Sequence, residues 1–555
     1  MMESEKRAFL QIHPKDNVLV ALRDLQEGTE ISFNGVTLVL HQDVAAKHKF
    51  TINAIPKDGE VYMYGVLVGR VNRDLLPGER LDVDNLRHAA EAFRLGERKL
   101  DWHKPDSSKI AGKTFKGYHR SNGTVGTANH WLVIPMVFCE NRNVLTLKAA
   151  LEEKLGYRVE SKDYSDEVDG LIARYQSGAS VDELLATDLS SVKSNTGSKR
   201  LFPNVDGIKF LNHDMGCGGT RLDSDALCGL LAGYIVHPNV AGATVLSLGC
   251  QHAQASILSE EIFKRDPHFG KPLYIFEQQL EGTEQTLMEK ALKATFAGLV
   301  EANRQTRLPA GLDKLCIGLE CGGSDGFSGI SANPALGYLS DMLVSVGGSV
   351  ILSEFPELCG VEQELSDRCI DEATAEKFMH LMRTYNAKAE ADGSGFYMNP
   401  SPGNIRDGLI TDAIKSAGAA KKGGTSPVTN VVDYPGLANK PGLNLLCTPG
   451  NDVESTTAEV AAGANVVLFT TGLGTPTGNP VTPVVKVSTN TKTYEKMPDI
   501  IDINCGTIID GEETIEEAAH RLLDYVLAVA SGEVTSKAVL LGQDDFIPWR
   551  RGVSL

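Results

Sequence analysis

The chain has 555 residues, 54 Lys+Arg against 72 Asp+Glu (net charge −18), 42% hydrophobic and 23% charged residues. Such a length suits about three or four domains, and the apolar fraction excludes disorder as the main state. The acidic balance, without a clustered Lys/Arg run, argues against nucleic acid or an anionic membrane surface as partner, and no apolar stretch is long enough for a membrane-spanning helix.

In chain order, residues 12–86 read as a small β-rich module. Apolar or alternating runs lie at Asn17–Leu22, Thr37–Leu40 and Val61–Val68, with Gly28, Gly35, Gly59 and Gly69 as turn residues. Residues 87–118 read as a linker containing one short helix, Arg87–Leu95. From 119 onward continuous apolar strands alternate with helices. Strands are expected at Trp131–Cys139, Gly207–Leu211, Ala243–Cys250, Pro272–Glu277, Lys314–Glu320, Ser349–Glu354, Leu443–Cys447, Asn465–Thr470 and Pro483–Val487. Helices are expected at Leu145–Leu155, Ala226–Ile235, Gly282–Ala302, Ala335–Val346, Ala373–Glu390, Thr456–Gly463 and Ile515–Ser531. This texture implies an α/β fold with parallel sheets covered on both faces. It divides into a central domain at 119–270 and a C-terminal domain at 271–555. The first residues, Met1 to Arg7, lack an apolar signal core, so the cytoplasm is the expected compartment.

Ligands of open α/β sheets bind beyond the carboxyl ends of strands. Six strand ends here carry Gly with a hydroxyl, thiol, carboxylate or imidazole: His213-Asp214-Met215-Gly216-Cys217, Gly249-Cys250-Gln251-His252, Cys321-Gly322-Gly323-Ser324-Asp325-Gly326, Pro356-Glu357-Leu358-Cys359-Gly360, Pro449-Gly450-Asn451-Asp452 and Thr471-Gly472-Leu473-Gly474-Thr475. A tight turn with a buried Cys explains any one of them. Six together favour a shared polar site for a small oxygen-rich ligand. No G-x-G-x-x-G follows a strand, and neither a P-loop nor H-E-x-x-H occurs. Gly322-Gly323-Ser324-Asp325-Gly326 fits G-x-S-x-G, but Gly326, Gly329 and Asn333-Pro334 interrupt the helix that a nucleophile elbow needs. The ten cysteines show no C-x-x-C. Four of them, Cys217, Cys250, Cys321 and Cys359, follow strands, which keeps an iron–sulfur cluster as a minor alternative although no local cluster spacing occurs.

At these residues the sequence resembles the altronate/galactarate dehydratase family. The resemblance rests on Gly117–Arg120 with Gly123–Asn129, Gly216–Arg221, Glu320–Gly329, Ser353–Glu357, Asn399–Asn404, Lys421–Gly424, Thr448–Gly450, Thr470–Pro476 and Met497–Asn504. The 12–86 module looks like that family's SAF domain. The resemblance implies dehydration of a small-molecule sugar acid, D-altronate to 2-dehydro-3-deoxy-D-gluconate, or of a related acid such as galactarate. It further implies a divalent metal, Fe²⁺ first, with Mn²⁺ or Mg²⁺ as alternatives, and is compatible with a homo-oligomer. A sugar-acid- or metal-binding protein without turnover is the non-enzymatic alternative.

Elimination needs a base for the proton α to the carboxylate and an acid for the leaving hydroxide. His213, Glu354 and Lys421 (or its neighbour Lys422) are the catalytic candidates. Arg221 is a carboxylate clamp, and Ser324, Asn404 and Thr475 are hydroxyl-binding candidates. Metal-ligand candidates are His48, Asp84, His213 and Cys217. Asp82 and Asp84 stand where many members of the family carry a His-x-His pair, which puts a His-based metal site in that module in question.

Overall fold

A computed structural model describes residues 7–91, 93–158, 165–188 and 199–554. The N-terminal module is built of short antiparallel strands. Val18–Ala21 lies between Phe9–Leu10 and Lys49–Thr51, with Arg80–Leu81 at the edge. The single expected run at 61–68 is a hairpin, Glu60–Met63 with Val66–Val71. Its two loop residues, Tyr64 (φ 58°) and Gly65 (φ 81°), both have positive φ. Asn34 (φ 47°) and Gly35 (φ 80°) turn the hairpin Glu30–Phe33/Val36–Val39 in the same way. Positive φ at both loop positions matches the right-handed twist of the flanking strands. The helix expected at 87–95 is absent from its described residues: Leu86–Arg87 instead pairs with Val71 and Arg70 as an edge strand.

Thr114–His119 pairs antiparallel with Val125–Gly126 and with Leu308–Gly311, bracketing the second domain. That domain is a four-stranded parallel sheet in the order Gly207–Phe210, His130–Pro135, Val240–Ser247, Leu273–Glu277. Helices Asn141–Leu155, Arg221–Val236, Ala255–Arg265 and Glu284–Ala302 accompany it. The expected boundary at 270/271 is therefore corrected. Leu273–Glu277 pairs with Val240–Ser247, and Leu287, Ala291 and Leu299 share a core with Trp131 and Val133, so the domain runs to about residue 303.

The C-terminal domain holds seven parallel strands in the order Val428–Asp433, Gly442–Cys447, Ser349–Leu352, Cys316–Cys321, Val466–Thr471, Val484–Ser488, Ile503–Asn504. Helices cover both faces, so the central strands are buried on both sides and read as mostly apolar runs. After Cys316–Cys321 the chain builds the sheet outward on one side through Ser349–Leu352. It returns through Val466–Thr471 to extend the other. The central strand thus sits at the reversal of strand order, where a crevice opens at the carboxyl ends.

Candidate active site

Four segments converge at that crevice. Cys321 ends the central strand, Glu354 and Glu357 follow the next, Lys415 lies on the short helix Asp412–Ala419, and Lys422 lies in the 3₁₀ turn Ala420–Gly423. Lys422 and Glu354 are each 1% exposed. The Lys422 ammonium donates to Glu354 Oε2 and to Cys321 Sγ, each at 2.9 Å. The Cys321 thiol donates to Glu357 Oε2 at 3.1 Å, and Lys415 Nζ lies 2.7 Å from Glu357 Oε1 and 2.6 Å from Asn399 Oδ1. Beneath them Ser353 Oγ hydrogen-bonds with Glu320 (3.0 Å) and Glu459 (2.8 Å), and Thr448 Oγ1 accepts the Glu354 N–H at 2.7 Å.

The electrostatics follow from burial. Glu320 and Glu459 are driven upward, Glu459 to about 8, first by desolvation, so burial favours the neutral form of each. Glu354 is raised by burial and by the Glu357 charge, partly offset by Lys422. Burial also pushes on Glu357, but the Lys415 and Lys422 ammoniums overcome it and hold this carboxyl below its usual value. Desolvation and the two facing carboxylates keep the Cys321 thiol protonated. Two carboxylates thus face two ammoniums in a dry interior, a balance that burial of charge requires.

Glu354 also has φ 60° and ψ 58°, a left-handed conformation that a non-glycine residue holds at a cost of about 1–3 kcal/mol. Its Oε1 is buried and has no hydrogen-bond partner. A carboxylate with one free oxygen and a raised pKa is suited to accept a proton. Across the loop stands Asp452, the first residue of helix Asp452–Ala461. Burial and the charges of Glu354 and Glu357 raise its carboxyl to about 7. A Cβ on Gly322 would run into Asp452 Oδ2 and the Phe469 ring, so glycine is what lets the acid approach the central strand.

Ser324, Asn404 and Thr475, from three separate segments, meet at the loop that follows Cys316–Cys321. Asn404 Nδ2 donates to the Ser324 carbonyl at 2.8 Å, and Thr475 Oγ1 lies against Gly323. The next helix begins only at Ala332, so Ser324 does not stand on a nucleophile elbow. Asp325, fully buried, accepts from Thr489 (2.9 Å) and Asn490 (3.2 Å) and pairs with Lys47 of the N-terminal module at 3.0 Å.

Several expectations are corrected. Lys422, not Lys421, enters the cluster; Lys421 is partly exposed. His213 is unsuited to ligation or proton transfer, because its Nε2 faces the Pro135 carbonyl at 2.7 Å and its Nδ1 accepts the Met215 N–H at 3.1 Å. Burial lowers its pKa to about 4. Arg221 and Cys217 are exposed in the second domain, with no described hydrogen bond or ion pair to the cluster. Asp84 sits in an exposed turn where its N–H donates to Asp82 Oδ1, while His48 Nε2 faces the Arg406 carbonyl at 3.0 Å. The four metal-ligand candidates are therefore not assembled. Nor do the four strand-end cysteines converge: Cys217 and Cys250 are exposed in the second domain, and Cys321 and Cys359 fall in separate side-chain groups.

Among the described residues two groups of three could ligate a cation, Cys321–Glu354–Glu357 and His88–Cys359–Asp412. In the first, Lys422 Nζ already occupies the cation position between Cys321 and Glu354, so a metal fits there only by displacing it. The sequence alone does not mark Cys321, Glu357, Lys415 and Asp452 as catalytic. The signals were a second acid in Ser-Glu-Phe-Pro-Glu, a lysine within the mostly apolar Asp412–Ala419, and an Asp just after a strand.

Comparison with known proteins agrees with this architecture along the whole chain. Family models match residues 7–89 (altronate/galactarate dehydratase SAF domain), 117–303 (D-galactarate dehydratase/altronate hydrolase, second domain) and 312–554 (D-galactarate/altronate dehydratase, C-terminal). Altronate dehydratase of Bacillus subtilis is 33% identical over 530 residues, covering 96% of each chain. Altronate dehydratase of Escherichia coli is 33% identical over 534 residues, covering 95% of this chain and 96% of its own. Galactarate dehydratase (L-threo-forming) of Escherichia coli is 30% identical over 537 residues, covering 96% and 94%. With its SAF, second and C-terminal domains all matched in order, the chain belongs to the altronate/galactarate dehydratase family.

Proposed function

We propose that this protein is a hydro-lyase that removes water from a sugar acid, D-altronate first, giving 2-dehydro-3-deoxy-D-gluconate. The observation that carries the reading is the pairing of Glu354, a buried carboxylate with one free oxygen, with Asp452, a nearby acid raised to about 7, beside two ammoniums at the sheet's switch point. Glu354 takes the C2 proton, and the electron pair of that bond becomes the C2=C3 double bond. The C3–O bond breaks, and the departing oxygen receives the Asp452 proton and leaves as water. The enol then tautomerises to the 2-keto acid. Lys415, the less enclosed of the two lysines at 9% exposure, binds the substrate carboxylate and stabilises the charge that builds on it. Ser324, Asn404 and Thr475 frame the loop that meets the remaining hydroxyls. Acid and base each contribute about 10²–10⁴-fold. A divalent cation of the Fe²⁺, Mn²⁺ or Mg²⁺ class, where bound, supplies Lewis-acid stabilisation of the same charge.

The test is release of a 2-keto-3-deoxy acid from a panel of aldonates and aldarates, with and without Fe²⁺, Mn²⁺ and Mg²⁺. Product from D-altronate supports the reading. Product from galactarate alone keeps the mechanism and changes the substrate. No product from any acid with any metal refutes it in favour of a binding protein.

A further inference from the structure

A second group of ligating side chains lies outside the cluster. Asp412 opens the helix that carries Lys415, Cys359 follows the Ser353–Glu357 run, and His88 comes from the tail of the N-terminal module just past Leu86–Arg87. One ligand atom of each lies within 4.8 Å of the others. The Cys359 thiol is within hydrogen-bonding reach of the Asp412 carboxyl, yet two atoms of the trio have no partner. Asp412 is 1% exposed and its Oδ2 has no hydrogen-bond partner, and the buried Nδ1 of half-buried His88 has none either. Such groups cost free energy unless something satisfies them. Ser416 Oγ reaches the other Asp412 oxygen only at 3.5 Å. The backbone brings the three together by design of the packing. Thr411, which caps the helix, donates to the Val68 carbonyl of the N-terminal module at 3.0 Å, and Gly360 packs between Ala90 and Ala413.

We propose that His88, Cys359 and Asp412 bind a thiophilic divalent cation, of the Zn²⁺ or Fe²⁺ class, that ties the N-terminal module to the C-terminal domain. A neutral imidazole, a thiolate and a carboxylate carry two negative charges, which a divalent ion cancels in a buried setting. Mixed N, S and O donors select Zn²⁺ or Fe²⁺ over Mg²⁺ or Ca²⁺. Metal–ligand bonds of about 2.0–2.3 Å place tetrahedral donors about 3.3–3.7 Å apart, so the trio needs only a small closure. The charges that act on Asp412 and Cys359 are those of Glu357, Glu362 and Lys415. Because Asp412 stands three residues before Lys415 on the same helix, occupancy would also fix the orientation of that lysine. The site differs from Cys321–Glu354–Glu357 in having no ammonium in the cation position.

The experiment reads metal, not turnover, and so stands or falls separately from the dehydration reading. The full-length protein is stripped with chelator and titrated with Co²⁺, following the near-ultraviolet thiolate-to-cobalt charge-transfer band, with zinc and iron content measured in parallel. Expected are one equivalent per chain and a thiolate band in wild type and in Cys321→Ser. At least tenfold weaker binding and loss of the band are expected in Cys359→Ser, and weaker binding with the band kept in His88→Gln. His88→Gln changes a partly exposed residue, which guards against a folding defect in the Cys359 variant. No stoichiometric Co²⁺ uptake by wild type, a thiolate band that survives Cys359→Ser, or a band lost only in Cys321→Ser would overturn the proposal.

Discussion

Lys422→Met probes the charge balance of the cluster most directly. In the wild type two carboxylates, Glu354 and Glu357, face two ammoniums, while burial pushes Glu320 and Glu459 toward their neutral forms. Methionine fills the space and removes one cation. Glu354 Oε2 then keeps the Cys321 N–H at 3.2 Å, with the thiol 3.4 Å away shared with Glu357. Neither lysine nor glutamate is more than 1% exposed, so solvent does not screen the loss. Breaking a buried pair from one side costs about 3–5 kcal/mol, equivalent to about 2–4 pKa units on Glu354. The carboxyl therefore keeps its proton to higher pH, and the acid-side limb of the rate profile moves upward by that amount. The sign for stability follows from linkage. Glu354 in the variant has a folded pKa raised further above the ordinary 4.5, so the folded state binds its proton more tightly than the unfolded. The stabilisation from protonation is fully present below 4.5 and falls by about 1.4 kcal/mol per unit as pH rises toward the folded pKa. The variant should be nearest to wild type in acid and furthest from it above neutrality. Because a three-domain chain does not unfold in one step, native-state amide exchange in Cys316–Cys321 is the suitable measure. Lys422→Met with Glu354→Gln should recover part of the loss. A change in protection below about 1 kcal/mol, with an unshifted pH profile, would refute the charge-balance argument.

Other expectations concern the chemistry and the docking of the N-terminal module. Glu354→Gln should lower kcat by about 10²–10⁴-fold with KM little changed, and should abolish exchange of the substrate C2 proton in D₂O. Asp452 is raised to about 7 and must be protonated to act, so wild-type rate should fall as pH rises through that value. Asp452→Asn should lower kcat by about 10²-fold or more and remove that alkaline limb. Lys47→Met breaks the contacts to buried Asp325 (3.0 Å) and to Asp407 (2.7 Å). It should loosen the module by about 1–3 kcal/mol, read as faster proteolytic cleavage in the segment around residues 91–113.

The alternation of strand and helix was legible because a parallel strand covered on both faces is an apolar run along its whole length. Gly442–Cys447 and Val466–Thr471 are mostly apolar in this way, and Cys316–Cys321 is so up to Glu320, where the site begins. Thr114–His119 and Leu308–Gly311 were not legible: half-exposed and mixed in composition, they are strands only because they pair with each other. The domain boundary moved for the same reason, since membership of Leu273–Glu277 is decided by its partner strand. Within the site, Glu354 could be read from sequence, because an acid directly beyond a buried strand needs a counter-charge. The choice between Lys421 and Lys422 could not. In the 3₁₀ turn Ala420–Gly423 successive side chains are rotated by about 120°, and the phase of that turn is set by packing. His213 was a plausible ligand by position and is spent on its own loop's backbone. Residue types and their order along the chain thus determined the fold class, the family and the strand ends where chemistry gathers. Which charges meet there, and which side chains are satisfied locally instead, was decided by tertiary structure. The cost of burying an unpaired charge depends on neighbours brought in from distant segments, such as Glu354 and Lys422, that no local pattern records.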